Sequence, residues 1–181
     1  NARKLIQSAK KLKKKILIDP KGKDFTKYKG ANLITPNKSE FENIMGKVDS
    51  KRDLVNKAKK MLEHLNLESL IVTLGSEGMY VLTKSNKKII GDFINAYPQE
   101  VFDVSGAGDT TISALGAALS EDNDIFSAAE FANLAASISV SKLGTSTVSK
   151  DEVTNLEASK SNEKQVIAVS YTHLTLPTSS Q

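Results

Sequence analysis

Short apolar runs alternate with longer stretches in which apolar residues recur every three or four positions. Ala2 to Lys14 carries Leu5, Ile6, Ala9 and Leu12 on one stripe, the signature of an amphipathic helix. Lys15-Ile16-Leu17-Ile18 is a brief apolar run stopped by Asp19-Pro20, and Ala31 to Thr35 is another stopped by Pro36; both predict buried strands ending in loops. Helical spacing returns from Ser39 to Met45 and from Lys51 to Leu65, where Leu54, Ala58, Met61, Leu62 and Leu65 are expected to point inward. Leu70 to Leu74 predicts a third buried strand, ending at Gly75. Met79 to Thr83 and the shorter Lys88 to Ile90 predict two more. Glu100 to Val104 leads into a small-residue helix reaching Leu119, and Asp124 to Leu143 predicts a long Ala-rich helix terminated by Gly144.

Strands and helices in this order imply an α/β domain with a largely parallel sheet. Ligands of such sheets gather beyond the carboxyl ends of the strands, where Asp19, Asn37, Gly75 and Asp103 are expected to fall. The domain is expected to occupy 1–160. The remainder, 161–181, is expected to be a tail, disordered or a non-native scar. Its last part, Ser170 to Gln181, is polar, rich in Ser and Thr, and has no core periodicity.

Composition narrows the function classes. The 181 residues are 39% hydrophobic and 25% charged, the balance of a globular chain. The net charge of +4 is concentrated in lysine blocks, Lys10 to Lys15 and Lys57 to Lys60, which sit in helical segments and read as solvated faces. With no Trp and 6% aromatics there is no stacking platform, so no nucleic-acid partner is expected. The absence of cysteine excludes disulfides and thiolate metal sites, and His64 and His173 do not stand at zinc-ligand spacing. No apolar run approaches the roughly 20 residues that span a bilayer. No membrane association is expected, and the cytoplasm is the expected compartment.

The strongest chemical signal is Asp103-Val104-Ser105-Gly106-Ala107-Gly108-Asp109-Thr110-Thr111. Its glycines permit a tight turn, and amides that open a helix face an anion with the positive end of the helix dipole. Asp109, in the first helical turn, is then placed to accept a proton from an incoming hydroxyl. The competing reading is a glycine turn whose Asp caps a helix. A dinucleotide fingerprint fails because Thr111 stands where a third glycine is needed, and no Gly-Lys-Ser/Thr marks a Walker loop. Asn37-Lys38-Ser39-Glu40 reads either as a capping box or as a phosphate-side segment in which Glu40 orders magnesium through water. Thr73 to Gly78 reads either as a hairpin-like turn or as a nucleotide-edge loop.

Taken in this order, the segments resemble the ribokinase-like (PfkB) carbohydrate kinases, with Asp103 to Asp109 matching one family signature and Asn37-x-x-Glu40 another. Asp19 to Phe25, Leu33 to Glu42 and Lys142 to Ser149 resemble, within that family, the kinases of heptose 7-phosphate. The resemblance covers roughly Ala2 to Lys160. It implies a three-layer α/β/α fold with a mostly parallel central sheet, here the incomplete C-terminal, ATP-binding portion. It implies phosphoryl transfer from ATP to the anomeric hydroxyl of D-glycero-D-manno-heptose 7-phosphate, giving the 1,7-bisphosphate on the route to ADP-heptose and lipopolysaccharide core. Asp109 matches the catalytic base and Gly106, Ala107 and Gly108 the anion hole. Asn37, Lys38, Ser39 and Glu40 match the ATP-phosphate and Mg2+ segment, and Thr73, Gly75, Glu77, Gly78 and Asn133 the positions lining the nucleotide. Asp103, Ser105 and Gly144 match the surroundings of a monovalent-cation site, implying K+. The same resemblance implies a homodimer at full length and a fused adenylyltransferase domain. Two alternatives stay open: another sugar kinase of the family, and a module that binds nucleotide without catalysis.

Overall fold

The computed structural model describes residues 2–144 and 146–159. The tail expected at 161–181 lies outside these residues. Six helices and five strands follow in the order α1 (Ala2–Lys11), β1 (Leu17–Ile18), β2 (Leu33–Ile34), α2 (Lys38–Met45), α3 (Lys51–His64), β3 (Ser69–Thr73), β4 (Met79–Ser85), β5 (Lys88–Ile94), α4 (Ala107–Ser120), α5 (Ile125–Val140) and α6 (150–159). The strands form one sheet in sequential order. β1, β2 and β3 are parallel, with Leu33 opposite Leu17 and Ser69, whereas β4 and β5 return antiparallel, with Val72 opposite Tyr80 and Tyr80 opposite Phe93. The sheet is therefore mixed: its parallel half comes first in the chain, and the hairpin β4–β5 makes the other half.

Alternation along each strand builds two cores. Ile34, Leu70, Val72, Tyr80 and Leu82 face α2 and α3, meeting Phe41, Leu54, Ala58, Met61 and Leu62. Leu33, Ile71, Met79 and Val81 face the other way, onto Leu115, Ala128, Ala132 and Ala135 of α4 and α5. Adjacent residues of one strand thus serve opposite layers, as a pleat requires. The result is the helix–sheet–helix sandwich that the strand and helix order predicts.

Several boundaries differ from the sequence reading, each for a local reason. α1 stops at Lys11 because Lys13 takes a left-handed conformation (φ 53°). The amides of Lys13 and Lys14 then bond back to Lys10 and Ala9, a Schellman closure. Of the expected stripe only Ile6 is buried, and Leu5 and Leu12 are exposed. β5 runs to Ile94 rather than Ile90, because its partly exposed edge position tolerates Gly91 and Asp92. α5 ends at Val140, short of Leu143 and Gly144, and Leu143 lies in solvent. α6 was not foreseen, although Ser149 and Glu152 form a reciprocal cap at its start. Among the described residues no helix is long and apolar enough to cross a membrane.

Candidate active site

Two groups of the predicted site residues are assembled, and α5 touches both, carrying Asn133 of the first and bonding to the second through Ser139. The first lies at the carboxyl ends of β1, β2 and β3. Asn37 caps α2: its side chain accepts from the Glu40 amide (2.8 Å), while Glu40 Oε2 accepts from the Asn37 amide (2.9 Å). The capping-box reading is therefore realised. Asn37 also bridges to Thr73 at the end of β3, and the Thr73 amide donates to Pro36. Lys38, one residue on, lies 3.7 Å from Glu77. Ser39 is exposed on the first turn of α2.

Gly75 to Glu77 forms a 3-10 turn between antiparallel β3 and β4, so the hairpin reading of this loop is also realised. Gly78 closes it with φ 92°, buried against the end of β5: a Cβ there would run into the Ile94 carbonyl and lie 2.5 Å from the Ala96 amide. That backbone is also where Asn133 of α5 attaches, its amide donating to the Asn95 carbonyl (2.8 Å). Thr73, Gly75, Glu77, Gly78 and Asn133 are thereby linked to Asn37 and Glu40 through bonded neighbours.

The second group surrounds the start of α4. Gly106 is its N-cap, with φ 80°, a conformation open to glycine at little cost. No side chain caps this helix. The first amides of a helix have no intrahelical partner, so those of Gly108 and Asp109 are left facing out. Ala107 is different, because its amide donates to Val104 at 3.3 Å. Asp109 stands in the first turn without acting as the cap, unlike the competing reading of this turn. It is exposed and, with Gly106, lines a cleft of about 820 Å³ that continues between α4, α5 and the 146–150 segment. None of the first group lines that cleft.

Asp103, Ser105 and Gly144 come together at the entrance to this turn. Asp103 Oδ1 accepts from the Ser105 amide at 2.8 Å. That bond, then the Ser105 hydroxyl and the Gly144 amide, hold the Asp103 carboxyl below its ordinary range. The amides of Phe102 and Asp103 donate to Val140, and Thr110 donates to buried Ser139 at 3.3 Å, fixing the turn to the end of α5. Asn133 and Ser139 are six residues apart, about 9 Å along the helix axis at 1.5 Å per residue. Sequence reasoning missed Ser139 and the role of Lys21, whose ammonium lies 3.0 Å from both Asp19 and Glu40. The Asp19-Pro20-Lys21 spacing is visible in the chain, but its partner Glu40 is distant in sequence.

Comparison with known proteins bears on the family and the fold. The family model described as pfkB family carbohydrate kinase matches residues 1–152. The bifunctional protein HldE of Shewanella piezotolerans is 51% identical over 148 residues, which is 82% of this chain and 30% of that protein. The ribokinase of Thermotoga maritima superposes with a TM-score of 0.70 at 26% identity, covering 83% of this chain and 51% of the other. Arabidopsis thaliana ribokinase, solved with ribose and ATP, gives 0.76 at 24% identity, covering 86% and 51%. The chain thus spans under a third of that HldE relative and about half of each ribokinase, and its fold is ribokinase-like. On the family match across most of its length and the identity to HldE, the chain belongs to the pfkB family of carbohydrate kinases.

Proposed function

We propose that this chain supplies the nucleotide side of an ATP-dependent kinase acting on heptose 7-phosphate. The observation that carries the reading is the left-handed Gly106 opening α4, with outward amides and Asp109 in the same turn beside a cleft. In the proposed reaction the Asp109 carboxylate accepts the proton of the anomeric hydroxyl. The hydroxyl oxygen forms a bond to the γ-phosphorus of ATP as the bond to the β–γ bridging oxygen breaks. ADP and the sugar 1,7-bisphosphate result. The Gly106–Gly108 turn and the Asp109 amide stabilise charge on the phosphoryl oxygens through fixed dipoles, which cost no reorganisation. Asn37 to Glu40, Thr73 to Gly78 and Asn133 hold the nucleotide.

Magnesium suits the oxygen donors at the first group. The described residues contain no cluster of three or more His, Cys, Asp or Glu side chains that could hold a metal. Mg2+ commonly uses one or two carboxylates, waters and the substrate phosphates. Glu40 would hold it through water, and the ion would neutralise charge on the β- and γ-phosphoryl oxygens. Asp103, Ser105 and Gly144 offer oxygen atoms suited to K+, whose binding would brace the Gly106 turn. The heptose assignment rests on the identity to HldE and the Asp19 to Phe25 and Lys142 to Ser149 segments. The full-length enzyme is proposed to be a cytoplasmic homodimer with a fused adenylyltransferase domain.

The test is the full-length gene product with Asp109→Asn. Transfer from ATP to heptose 7-phosphate is expected to fall at least about 10²-fold, the usual worth of a general base. Retention of near-normal turnover refutes the assignment of Asp109.

A further inference from the structure

Lys21 joins two carboxylates from separate elements. Its Nζ lies 3.0 Å from Asp19 Oδ2, just beyond β1, and 3.0 Å from Glu40 Oε1, in the first turn of α2. The carboxylates are sheltered, at 22% and 18% side-chain exposure, while the lysine is 68% exposed. Glu40 uses its other oxygen, Oε2, for the Asn37 amide. Both oxygens of one carboxylate are thus held, one by the helix cap and one by an ammonium from across the site.

The lysine backbone is fixed independently of its side chain. The Tyr28 hydroxyl accepts from the Lys21 amide (3.0 Å) and donates to the Lys21 carbonyl (3.2 Å), and Lys27 Nζ donates to that carbonyl at 2.7 Å. Tyr28 is itself buried beside Phe25. An exposed ion pair contributes only about 0–1 kcal/mol to stability, and the capping box secures the start of α2 without it. The bridge therefore does little as a stabiliser, yet it fixes the geometry of a carboxylate at the proposed nucleotide site. It also leaves Asp19, Lys21 and Glu40 with one net negative charge rather than two, where a polyanion must approach.

We propose that Lys21 is a positioning residue: held between Asp19 and Glu40, it sets the Glu40 carboxylate for magnesium–nucleotide binding. The inference deepens the kinase reading and rests on it.

The experiment compares wild type, Lys21→Met, Lys21→Arg, Glu40→Gln and the double variant Lys21→Met/Glu40→Gln in the full-length protein. Calorimetric titration with ATP, with and without magnesium, is run beside steady-state kinetics. Lys21→Met is expected to weaken magnesium–ATP binding and raise its KM at least about tenfold, the lower end of what partners of metal-orienting groups usually cost. Its kcat is expected to stay within about twofold, because the transferring centre is untouched. Lys21→Arg is expected to recover most of the loss, and in the Glu40→Gln background Lys21→Met is expected to add nothing. Unchanged magnesium–ATP affinity in Lys21→Met, or a full additive loss in the double variant, overturns the proposal. Absence of ATP binding by the wild-type protein instead overturns the kinase reading beneath it.

Discussion

Single residues in this chain are constrained by what lies against them. Gly78 combines a positive φ with the backbone of 94–96 pressed onto its α-carbon, so a side chain there meets both strain and collision. Gly78→Ala is expected to destabilise the fold by at least about 2 kcal/mol, from left-handed strain plus overpacking. A urea melt checks this, and Gly108→Ala is the control, since nothing lies within 4 Å of its would-be Cβ. The comparison also bears on the proposed nucleotide edge, because Asn133 bonds to the same 95 carbonyl that Gly78 lies beneath. At this scale the sequence was readable where a residue type is demanded by backbone shape, as at Gly106 and Gly78. It was silent at Ser139 and Lys21, whose partners are set only by folding: Thr110 lies 29 residues from Ser139, and Glu40 lies 19 from Lys21.

Among the elements, α6 packs Val153 and Leu156 onto the α4–α5 core, and its start is tied down by a charged cap. Lys142 lies 2.6 Å from Glu152 and donates to Thr147, while Glu152 also accepts from the Ser149 amide and hydroxyl. The Lys142 ammonium, and then the Ser149 donors, lower the Glu152 pKa from 4.5 to about 2. A lowered carboxyl pKa means the folded state favours the ionised form. Its contribution is complete above 4.5 and is lost as pH falls towards 2. Protection factors of the 150–159 amides, measured against intrinsic exchange at each pH, are accordingly expected to fall across that window before those of β3–β4 do, and Glu152→Gln is expected to remove that drop. Protection factors for 150–159 that stay flat between pH 5 and pH 2 contradict it. The Ser149-x-x-Glu152 pattern was open to sequence reading, whereas the premature end of α5 was not. Leu143 extends the apolar spacing of α5, yet the chain turns at Ser141, and the amides of Phe102 and Asp103 take up the Val140 carbonyl.

At the level of the whole molecule, the layered architecture was largely legible because apolar runs and helical stripes alternate so regularly. The direction of the last strands was less so. β4 and β5 alternate like other strands, and only the tight 75–77 turn reveals that the chain doubles back there. The two site groups could be named separately from motifs, but their separation could not be known before α5 was seen to touch both. Substrate choice is the question for the complete protein. Heptose 7-phosphate is expected to be turned over with the highest kcat/KM when compared with ribose and fructose 6-phosphate under the same magnesium–ATP. A preference for either of the other sugars moves the assignment to another branch of the family. ATP binding with no turnover of any sugar favours a nucleotide-binding module.

The helix shared by the two groups has a mechanical consequence. Asn133 and Ser139 are marks on one rod, so the reach from the proposed nucleotide edge to the Gly106 turn is a ruler graduated in helical rise rather than a slack loop. The alanines at 128, 132 and 135 let that rod lie flat on its neighbours. A bulkier graft at Ala132 would therefore lift or slide the whole scale, shifting the contacts of Asn133 and Ser139 together while the distance between them stays fixed.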